Sequence, residues 1–363
     1  MKRIVFTVTN DLNYDQRMIR ICTSLTNAGY FVLLIGKRNR NSLPLITKNY
    51  RQKRLFTFFK SGFGFYAEYN TRLFFALLFT KSYMLCCIDL DTILPVWLVS
   101  KIKGTKRLYD AHEFFSQQKE IISRPFVHAF WAKLEKLLVP KFKLGYAVSQ
   151  SIVLEFKTRY GVQYEVIRNM PLLKELPIEE TIKEKIILYQ GAVNEARGLE
   201  FLVPAMKNID AVLHIYGDGN YLQQTKKIIK ANNLQNKVFL KGKMLPHELD
   251  AITRQAIIAV NLVENKGLNQ YYSLANKFFD YIQNGIPQVS MDFPEYKKIN
   301  DEYEVAVLIA NLNPETISAA INKLLHDEAL YQRLAKNCLQ ARQVFNWQEE
   351  EKKLLNFYNT ILV

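Results

Sequence analysis

Short apolar segments with strand character alternate along this chain with segments whose apolar residues have helical spacing. Residues 3–8 and 31–35 are apolar runs rich in β-branched side chains. Between them, apolar side chains in residues 16–27 recur every three to four positions, which predicts a helix. Strands that are joined through a helix pair in parallel, so the sequence predicts a parallel α/β sheet.

The same alternation starts again near the middle of the chain. The chain has 363 residues, more than one domain with a single hydrophobic core usually contains, and a charged, proline-containing stretch divides it. We predict domains at residues 1–170 and 185–345, a linker at 171–184, and a helix at 346–363 that packs back on the first domain. The predicted fold class is α/β, with two Rossmann-like domains whose parallel sheets face each other across a cleft. Ligands are expected at the carboxyl ends of the strands.

Charge is divided unequally between the two halves. Residues 1–170 contain 27 Lys and Arg against 11 Asp and Glu, a net charge of +16, whereas the remainder has 22 against 23. This asymmetry suggests an anionic partner for the first half, such as a membrane face or a phosphorylated substrate, and the alternative is a basic surface with no specific partner. Nucleic acid is not expected, because the chain has no basic helix, zinc finger or RNP-like aromatic motif.

The cysteine pattern and the apolar runs bear on the compartment. The four cysteines form no CxxC pair, so buried thiols in a reducing compartment are expected. The apolar run at 4–8 is too short for a signal peptide, and the run at 73–79 is too short for a membrane span. The sequence therefore predicts a cytoplasmic protein.

One candidate site lies in the second half. Ser273 is predicted to cap a helix over 274–284, whose first turn would offer backbone N–H groups to an anion. Lys277 would add positive charge, and Asp280 could bind the hydroxyl groups of a ribose. The alternative is a capped surface helix with a solvated aspartate, and the residues alone leave both interpretations open.

Two glycine-containing loops follow predicted strands in the same half. One begins at Gly191 and ends in Arg197-Gly198, where a guanidinium could bind a diphosphate. The other contains Gly217 and Gly219, which would allow the backbone to approach a ligand closely. The alternative for both is an ordinary strand-to-helix turn.

Acidic residues and a histidine follow two predicted strands of the first half. His112 and Glu113 follow one strand, and Asp89 and Asp91 follow another. His112 could bind a sugar hydroxyl or a phosphate oxygen, although a lone histidine is more often structural. The carboxylates match no metal-binding spacing, so no metal and no other cofactor is predicted.

Taken in order along the chain, these segments resemble the family 4 retaining glycosyltransferases, which have the two-domain GT-B fold. The resemblance covers nearly the whole chain. In the first half it lies in Asn10-Asp11-Leu12, Asp15-Gln-Arg17, Asp89-Leu-Asp-Thr-Ile-Leu-Pro95 and Tyr109-Asp-Ala-His-Glu-Phe114. In the second half it lies in Tyr189-Gln-Gly-Ala192, Arg197-Gly198, His214-Ile-Tyr-Gly-Asp-Gly219 and Ser273-Leu-Ala-Asn-Lys-Phe-Phe-Asp-Tyr281.

The resemblance implies transfer of a sugar, with retention, from a nucleoside-diphosphate sugar to a glycan or lipid-linked acceptor in surface polysaccharide synthesis. The residues that it places in catalysis are His112, Arg197 and Lys277. Those that it places at the donor are Gly191, Gly217, Gly219, Ser273, Asn276 and Asp280. Those that it places at the acceptor are Asp11, Arg17, Asp89, Asp91 and Glu113.

The sequence departs from the family pattern at two positions. Asp280 stands where the second glutamate of the E-x7-E motif is expected, and Tyr272 replaces the first. Ala192 stands where an arginine is expected. The candidates to replace the first glutamate are Glu264, Asn269 and Asn276.

The same sequence features are compatible with other functions. A nucleotide-sugar epimerase or hydrolase of the same fold and a non-enzymatic two-lobed sugar-binding protein are the alternatives. Residues 51–79 mix cations with phenylalanines, which suggests docking on the anionic inner face of a plasma membrane. The alternative is that most of these phenylalanines belong to the core.

Overall fold

The computed structural model describes residues 2–38, 40, 42–176 and 184–362, except the side chains of Pro246 and His247. Residues 177–183 of the predicted linker lie outside this description. The chain divides into two compact units. Unit 1 comprises Met1–Asn169, Gly267–Asn269 and Glu350–Val363, and unit 2 comprises Met170–Lys266 and Gln270–Glu349.

Unit 1 is built on one seven-stranded parallel sheet. Its strands are β1 (Arg3–Thr7), β2 (Phe31–Arg38), β3 (Arg51–Phe56), β4 (Met84–Ile88), β5 (Lys106–Ala111), β6 (Leu144–Ala147) and β7 (Glu165–Val166). Their order is β3-β2-β1-β4-β5-β6-β7, and all neighbours are parallel.

The helices of unit 1 connect these strands. They are α1 (Gln16–Asn27), α2 (Gly62–Leu78), α3 (Ile93–Lys103), α4 (Lys119–Ile122), α5 (Pro125–Leu138) and α6 (Gln150–Tyr160). Helices α2, α3 and α5 all connect strands that advance from β3 toward β6, so right-handed crossovers place them on one face of the sheet. Short 3₁₀ turns occur at Leu90–Thr92, Phe115–Gln117 and Val139–Lys141.

Unit 2 repeats the same design with six parallel strands. They are β8 (Glu184–Gln190), β9 (Val212–Tyr216), β10 (Val238–Gly242), β11 (Ala256–Asn261), β12 (Gln288–Met291) and β13 (Ala306–Ile309), in the order β10-β9-β8-β11-β12-β13. The helices between and after them are α7 (Leu199–Ala205), α8 (Leu222–Ala231), α9 (Pro246–Gln255), α10 (Leu268–Tyr271), α11 (Asn276–Gln283), α12 (Pro294–Tyr303), α13 (Pro314–His326) and α14 (Glu328–Ala341). A 3₁₀ turn lies at Met206–Asn208.

The last helix, α15 (Trp347–Ile361), contributes to unit 1 from Glu350 onward. There the Tyr358 hydroxyl lies 3.3 Å from that of Tyr146 and 3.9 Å from the thiol of Cys86. All four cysteines are free and buried, as the sequence predicts. Among the described residues, no helix combines the length and apolarity that a bilayer span requires.

Two parts of the fold differ from the sequence prediction. The sequence gives no sign of strand β3, because three of its six residues are Arg51, Lys53 and Arg54. It lies at the edge of the sheet, where charged side chains remain in water. Helix α11 begins at Asn276 rather than at 274, and its N-cap residue is Ala275.

Candidate active site

Two glycine loops pack against each other at the carboxyl ends of β8 and β9. The Val193 N–H donates to the Asp218 carbonyl at 3.0 Å, and the Tyr221 N–H donates to the Val193 carbonyl at 3.0 Å. A Cβ atom on Gly217, whose φ is +152°, would lie 1.8 Å from the Gly191 carbonyl oxygen. A Cβ atom on Gly219 would lie 2.3 Å from the Val193 carbonyl oxygen. The contact between the loops therefore requires glycine at both positions, and a donor contact there stays a prediction.

Two cations lie near the aromatic ring of Tyr189, the penultimate residue of β8. The Lys277 ammonium is 4.0 Å from the centroid of that ring. Burial and the nearby positive charge of Arg197 hold the pKa of Lys277 well below its usual range. Neither cation forms an ion pair with a carboxylate within the described part of the chain. Two adjacent cations that share no carboxylate favour the binding of an anion, which would offset their repulsion.

Asp280 lies on the same end of β8 as these cations. It follows Lys277 by three residues on α11, so both side chains project from one face of the helix. The Gln190 Nε2 donates to Asp280 Oδ2 at 3.1 Å, and Thr253 Oγ1 donates to Gln190 Oε1 at 2.8 Å. The structure thus brings Arg197, Lys277 and Asp280 together around Tyr189 and Gln190.

Ser273 does not cap α11, which corrects the prediction. Its hydroxyl donates to the Gln270 carbonyl at 2.8 Å and closes the preceding turn. The Tyr296 hydroxyl accepts a hydrogen bond from Ala275 N–H at 3.0 Å, and so fixes the residue that does begin the helix. Asn276, which the sequence assigns to the donor, is exposed at the first helical position.

In unit 1, the acidic residues gather at the carboxyl ends of β4 and β5. The Glu113 N–H donates to Asp89 Oδ1 at 2.9 Å, and His112 Nδ1 lies 3.9 Å from Asp89 Oδ2. Thr9 Oγ1 donates to Asp91 Oδ2 at 2.5 Å. The loops that follow β4 and β5 therefore contact each other through these side chains.

Burial changes the acidity of this cluster. It raises the pKa of Asp91 to about 7, although the bond from Thr9 opposes the rise. Burial and the carboxylates of Glu113 and Asp91 raise the pKa of Asp89 well above its usual range. Asp89 also has a φ of +56°, a backbone strain that is often found at functional sites. Among the described residues, no group of three or more His, Cys, Asp or Glu is arranged to hold a metal ion.

Arg17 is not available to an acceptor, and this expectation is wrong. Its side chain is 2% exposed and donates to both carboxylate oxygens of Asp110, at 3.2 Å and 2.8 Å. A third bond, of 3.0 Å, reaches the Ile167 carbonyl. A guanidinium that satisfies a buried carboxylate and a carbonyl holds the sheet together. Asp11 is 20% exposed and 3.8 Å from Arg54, so its acceptor role stays a prediction.

Sequence reasoning missed several side chains that complete the site in unit 2. Tyr189 and Gln190 provide the ring beneath Lys277 and the amide that binds Asp280. Their position directly before Gly191, at the carboxyl end of a predicted strand, was a signal that could have identified them. Thr253 and Tyr296 lie on helices distant in sequence, and only the fold brings them close.

Comparison with known proteins relates unit 2 to a family of transferases. Residues 174–340 match the family described as Glycosyl transferases group 1. The chain is 26% identical over 139 residues to the poly(glycerol-phosphate) alpha-glucosyltransferase of Bacillus subtilis strain 168. That match takes in 38% of this chain and spans about a fifth (19%) of the length of the curated relative.

Solved structures match the whole chain. Sucrose-phosphate synthase from Thermosynechococcus elongatus has a TM-score of 0.82 at 16% identity, over 100% of this chain and 99% of that one. HepE of Anabaena in complex with UDP has a TM-score of 0.77 at 12% identity, over 99% and 100%. A glycosyltransferase from Rickettsia africae has a TM-score of 0.73 at 14% identity, over 99% and 98%.

The structural matches and the family match agree. At such low identities the solved structures establish the fold, and the two parallel-sheet Rossmann-like units of this chain match those of GT-B glycosyltransferases. The chain therefore has the GT-B fold, and its residues 174–340 match the Glycosyl transferases group 1 family, which supports a transferase enzyme.

Proposed function

We propose that this chain is a family 4 retaining glycosyltransferase that moves a sugar from a nucleoside-diphosphate sugar to a glycan or lipid-linked acceptor. The observation that carries the proposal is the pair of cations beside Tyr189, Arg197 and Lys277. A departing diphosphate is an anion of the kind that such a pair stabilises. HepE of Anabaena, which shares the fold, binds UDP, and this supports a uridine nucleotide as the first donor to try.

The residues of unit 2 would divide the work on the donor. Arg197 and Lys277 would neutralise the charge that develops on the diphosphate as the bond from the anomeric carbon to the phosphate oxygen breaks. The positive end of the α11 dipole would add to this effect. Asp280, oriented by Gln190, would accept hydrogen bonds from the ribose hydroxyls.

The residues of unit 1 would bind the acceptor. His112, Asp89, Asp91 and Glu113 offer a set of donors and acceptors that matches a polyol. The acceptor oxygen would bond to the anomeric carbon on the face that the diphosphate leaves, and its proton would pass to the departing phosphate oxygen. No side-chain nucleophile is assigned. Surface polysaccharide synthesis is the proposed setting, and the name of the Bacillus subtilis relative supports it.

Product analysis tests this proposal. UDP- and GDP-sugars would be incubated with the protein, with and without poly(glycerol phosphate) or a panel of oligosaccharides. We expect a glycosylated acceptor whose new linkage has the anomeric configuration of the donor, as read by NMR. Free sugar or an epimer that forms equally well without any acceptor would support the epimerase or hydrolase alternative and contradict the proposal.

A pair of variants assigns the activity to the site. Lys277→Met should reduce the rate of transfer roughly 100-fold, because one of the two cations that face the leaving group is lost. Lys226→Met removes an exposed lysine from α8 in the same unit and should leave the rate unchanged. Equal rates for the two variants would remove Lys277 from the mechanism.

A further inference from the structure

Unit 1 carries an unusual set of exposed aromatic rings. Seven phenylalanines in the described part of the chain are at least half exposed, and all seven lie between residues 58 and 130. They are Phe58, Phe59, Phe63, Phe75, Phe79, Phe126 and Phe130, and we call them the phenylalanine surface. Exposure reaches 94% at Phe126 and 82% at Phe79. Exposed apolar residues that cluster in this way usually mark an interaction site.

These rings share one side of the unit 1 sheet. Phe75 and Phe79 are one turn apart at the end of α2, and Phe63 lies in its first turn; all three rings are exposed. Phe126 and Phe130 are one turn apart on α5. The rings of Phe63 and Phe130 lie 6.4 Å apart, which connects the two helices.

The two rings before α2 are held outward by a polar clamp. The Glu68 carboxylate accepts hydrogen bonds from the N–H groups of Phe58 and Phe59 at 2.8 Å and 3.1 Å. Arg72 donates to the same carboxylate at 3.0 Å and lies 5.5 Å from the Phe58 ring. These contacts fix the backbone so that the rings face solvent, and they pair the carboxylate of Glu68 with a cation.

The charge around these rings is positive. Four cations on the loop and on the two helices are exposed, namely Lys60, Arg72, Lys133 and Lys136. The acidic residues of residues 58–79 and of α5 are Glu68, which is paired with Arg72, and Glu135, which is fully buried. Exposed phenylalanines among unpaired lysines are the combination that binds an anionic lipid surface.

We propose that the phenylalanine surface docks unit 1 on an anionic lipid bilayer, with its rings in the interface and its lysines at the headgroups. Each phenylalanine that leaves water contributes roughly 1.5–3 kcal/mol at most. A second copy of this chain is a poorer occupant, because a symmetric contact would bring the lysines of both copies together. The proposal goes beyond the proposed transferase activity, and its test needs no sugar donor.

Flotation of the full chain with vesicles tests the proposal. We expect binding to vesicles of equal parts phosphatidylglycerol and phosphatidylcholine that weakens as salt is added, and little binding to phosphatidylcholine alone. The double variant Phe126→Ser with Phe130→Ser should reduce partitioning roughly tenfold or more. Both side chains are exposed, so the circular dichroism spectrum of this variant should match that of the unchanged protein.

A matched control and three outcomes make the test decisive. Leu245→Ser changes a side chain of unit 2, directly before α9, that is 54% exposed and so similar to Phe130, and this variant should bind as the unchanged protein does. No binding to the anionic vesicles would overturn the proposal, as would equal binding to both kinds of vesicle. A dimer that the double variant disperses, without vesicle binding, would instead assign the surface to a second copy.

Discussion

The surroundings of Lys277 disfavour the charged form of its side chain. Its ammonium lies over the Tyr189 ring, which offers a partial compensation, while burial and Arg197 favour the neutral amine. A bound diphosphate would reverse that balance, because the anion would lie near both cations. These surroundings support the proposal that Lys277 and Arg197 bind an anion together.

Asp91 gives a prediction about pH at the same scale. Its pKa of about 7 in the folded protein lies above the ordinary value for aspartate, so the folded state binds the proton more tightly than the unfolded state does. This contribution is full below about pH 4 and is lost as the pH rises through about 7. In Asp91→Asn the unfolding free energy should therefore fall by about 4 kcal/mol less over that window than it does in the unchanged protein.

Urea unfolding across the window measures this effect. Glu135 provides the comparison, because burial raises its pKa to about 7 as well. Its contribution should remain in the Asp91→Asn protein and disappear in Glu135→Gln. If the pH dependence of Asp91→Asn matches that of the unchanged chain, Asp91 does not carry the shifted pKa.

Among the structural elements, the two glycine loops that follow β8 and β9 pack together as a single unit. Strands β8 and β9 are neighbours, and the loops that follow them share backbone hydrogen bonds. The loop after β8 also carries Arg197, so its conformation determines where that guanidinium lies. The glycines therefore act on the site through the shape of the loop.

Gly217→Ala tests the contact between the loops. The new Cβ would lie 1.8 Å from the Gly191 carbonyl oxygen at a φ that alanine rarely adopts, so a loss of ~3 kcal/mol or more in unfolding free energy is expected. Gly104→Ala is the control, because its φ is +62° and nothing lies within 4 Å of the new Cβ. That variant should lose only ~1–2 kcal/mol, and equal losses would contradict the account.

Much of the element pattern could be predicted from the sequence. The strands of both central sheets are apolar runs, because parallel strands that are covered on both faces must exclude polar side chains. Strand β3 could not be found in this way, since it lies at an edge and is rich in charge. The prediction that Ser273 caps α11 was wrong. Serine is a common N-cap residue, but here its hydroxyl donates to the Gln270 carbonyl in the preceding turn.

The candidate site was less accessible to sequence reasoning. Lys277 and Arg197 could be proposed because each lies in a loop or first helical turn after a predicted strand. Arg17 looked similar, yet its partner Asp110 lies 93 positions away, and only the fold reveals that the pair is buried. Gln190 could be placed at the carboxyl end of a predicted strand, but its hydrogen bond to Asp280, 90 positions away, is revealed only by the fold.

The whole molecule consists of two units, each built on a parallel sheet, and its positive charge is unevenly distributed between them. Unit 2 holds the group 1 family match and the cation pair, and unit 1 holds the acidic cluster and the phenylalanine surface. The excess positive charge lies in residues 1–170, and some of it surrounds exposed phenylalanines. The two units therefore carry different surface chemistry, with basic side chains at the candidate site of unit 2 and an acidic cluster and exposed phenylalanines in unit 1.

A diphosphate site at Arg197 and Lys277 can be tested through the thermal stability of the full chain with and without UDP or GDP. A nucleotide at 100 times its dissociation constant should stabilise the folded protein by about 2.7 kcal/mol and raise the Tm. We expect that rise in the unchanged protein and in Lys226→Met, and little or none in Lys277→Met. A Tm that neither nucleotide changes, or an equal rise in Lys277→Met, would contradict a diphosphate site at Arg197 and Lys277.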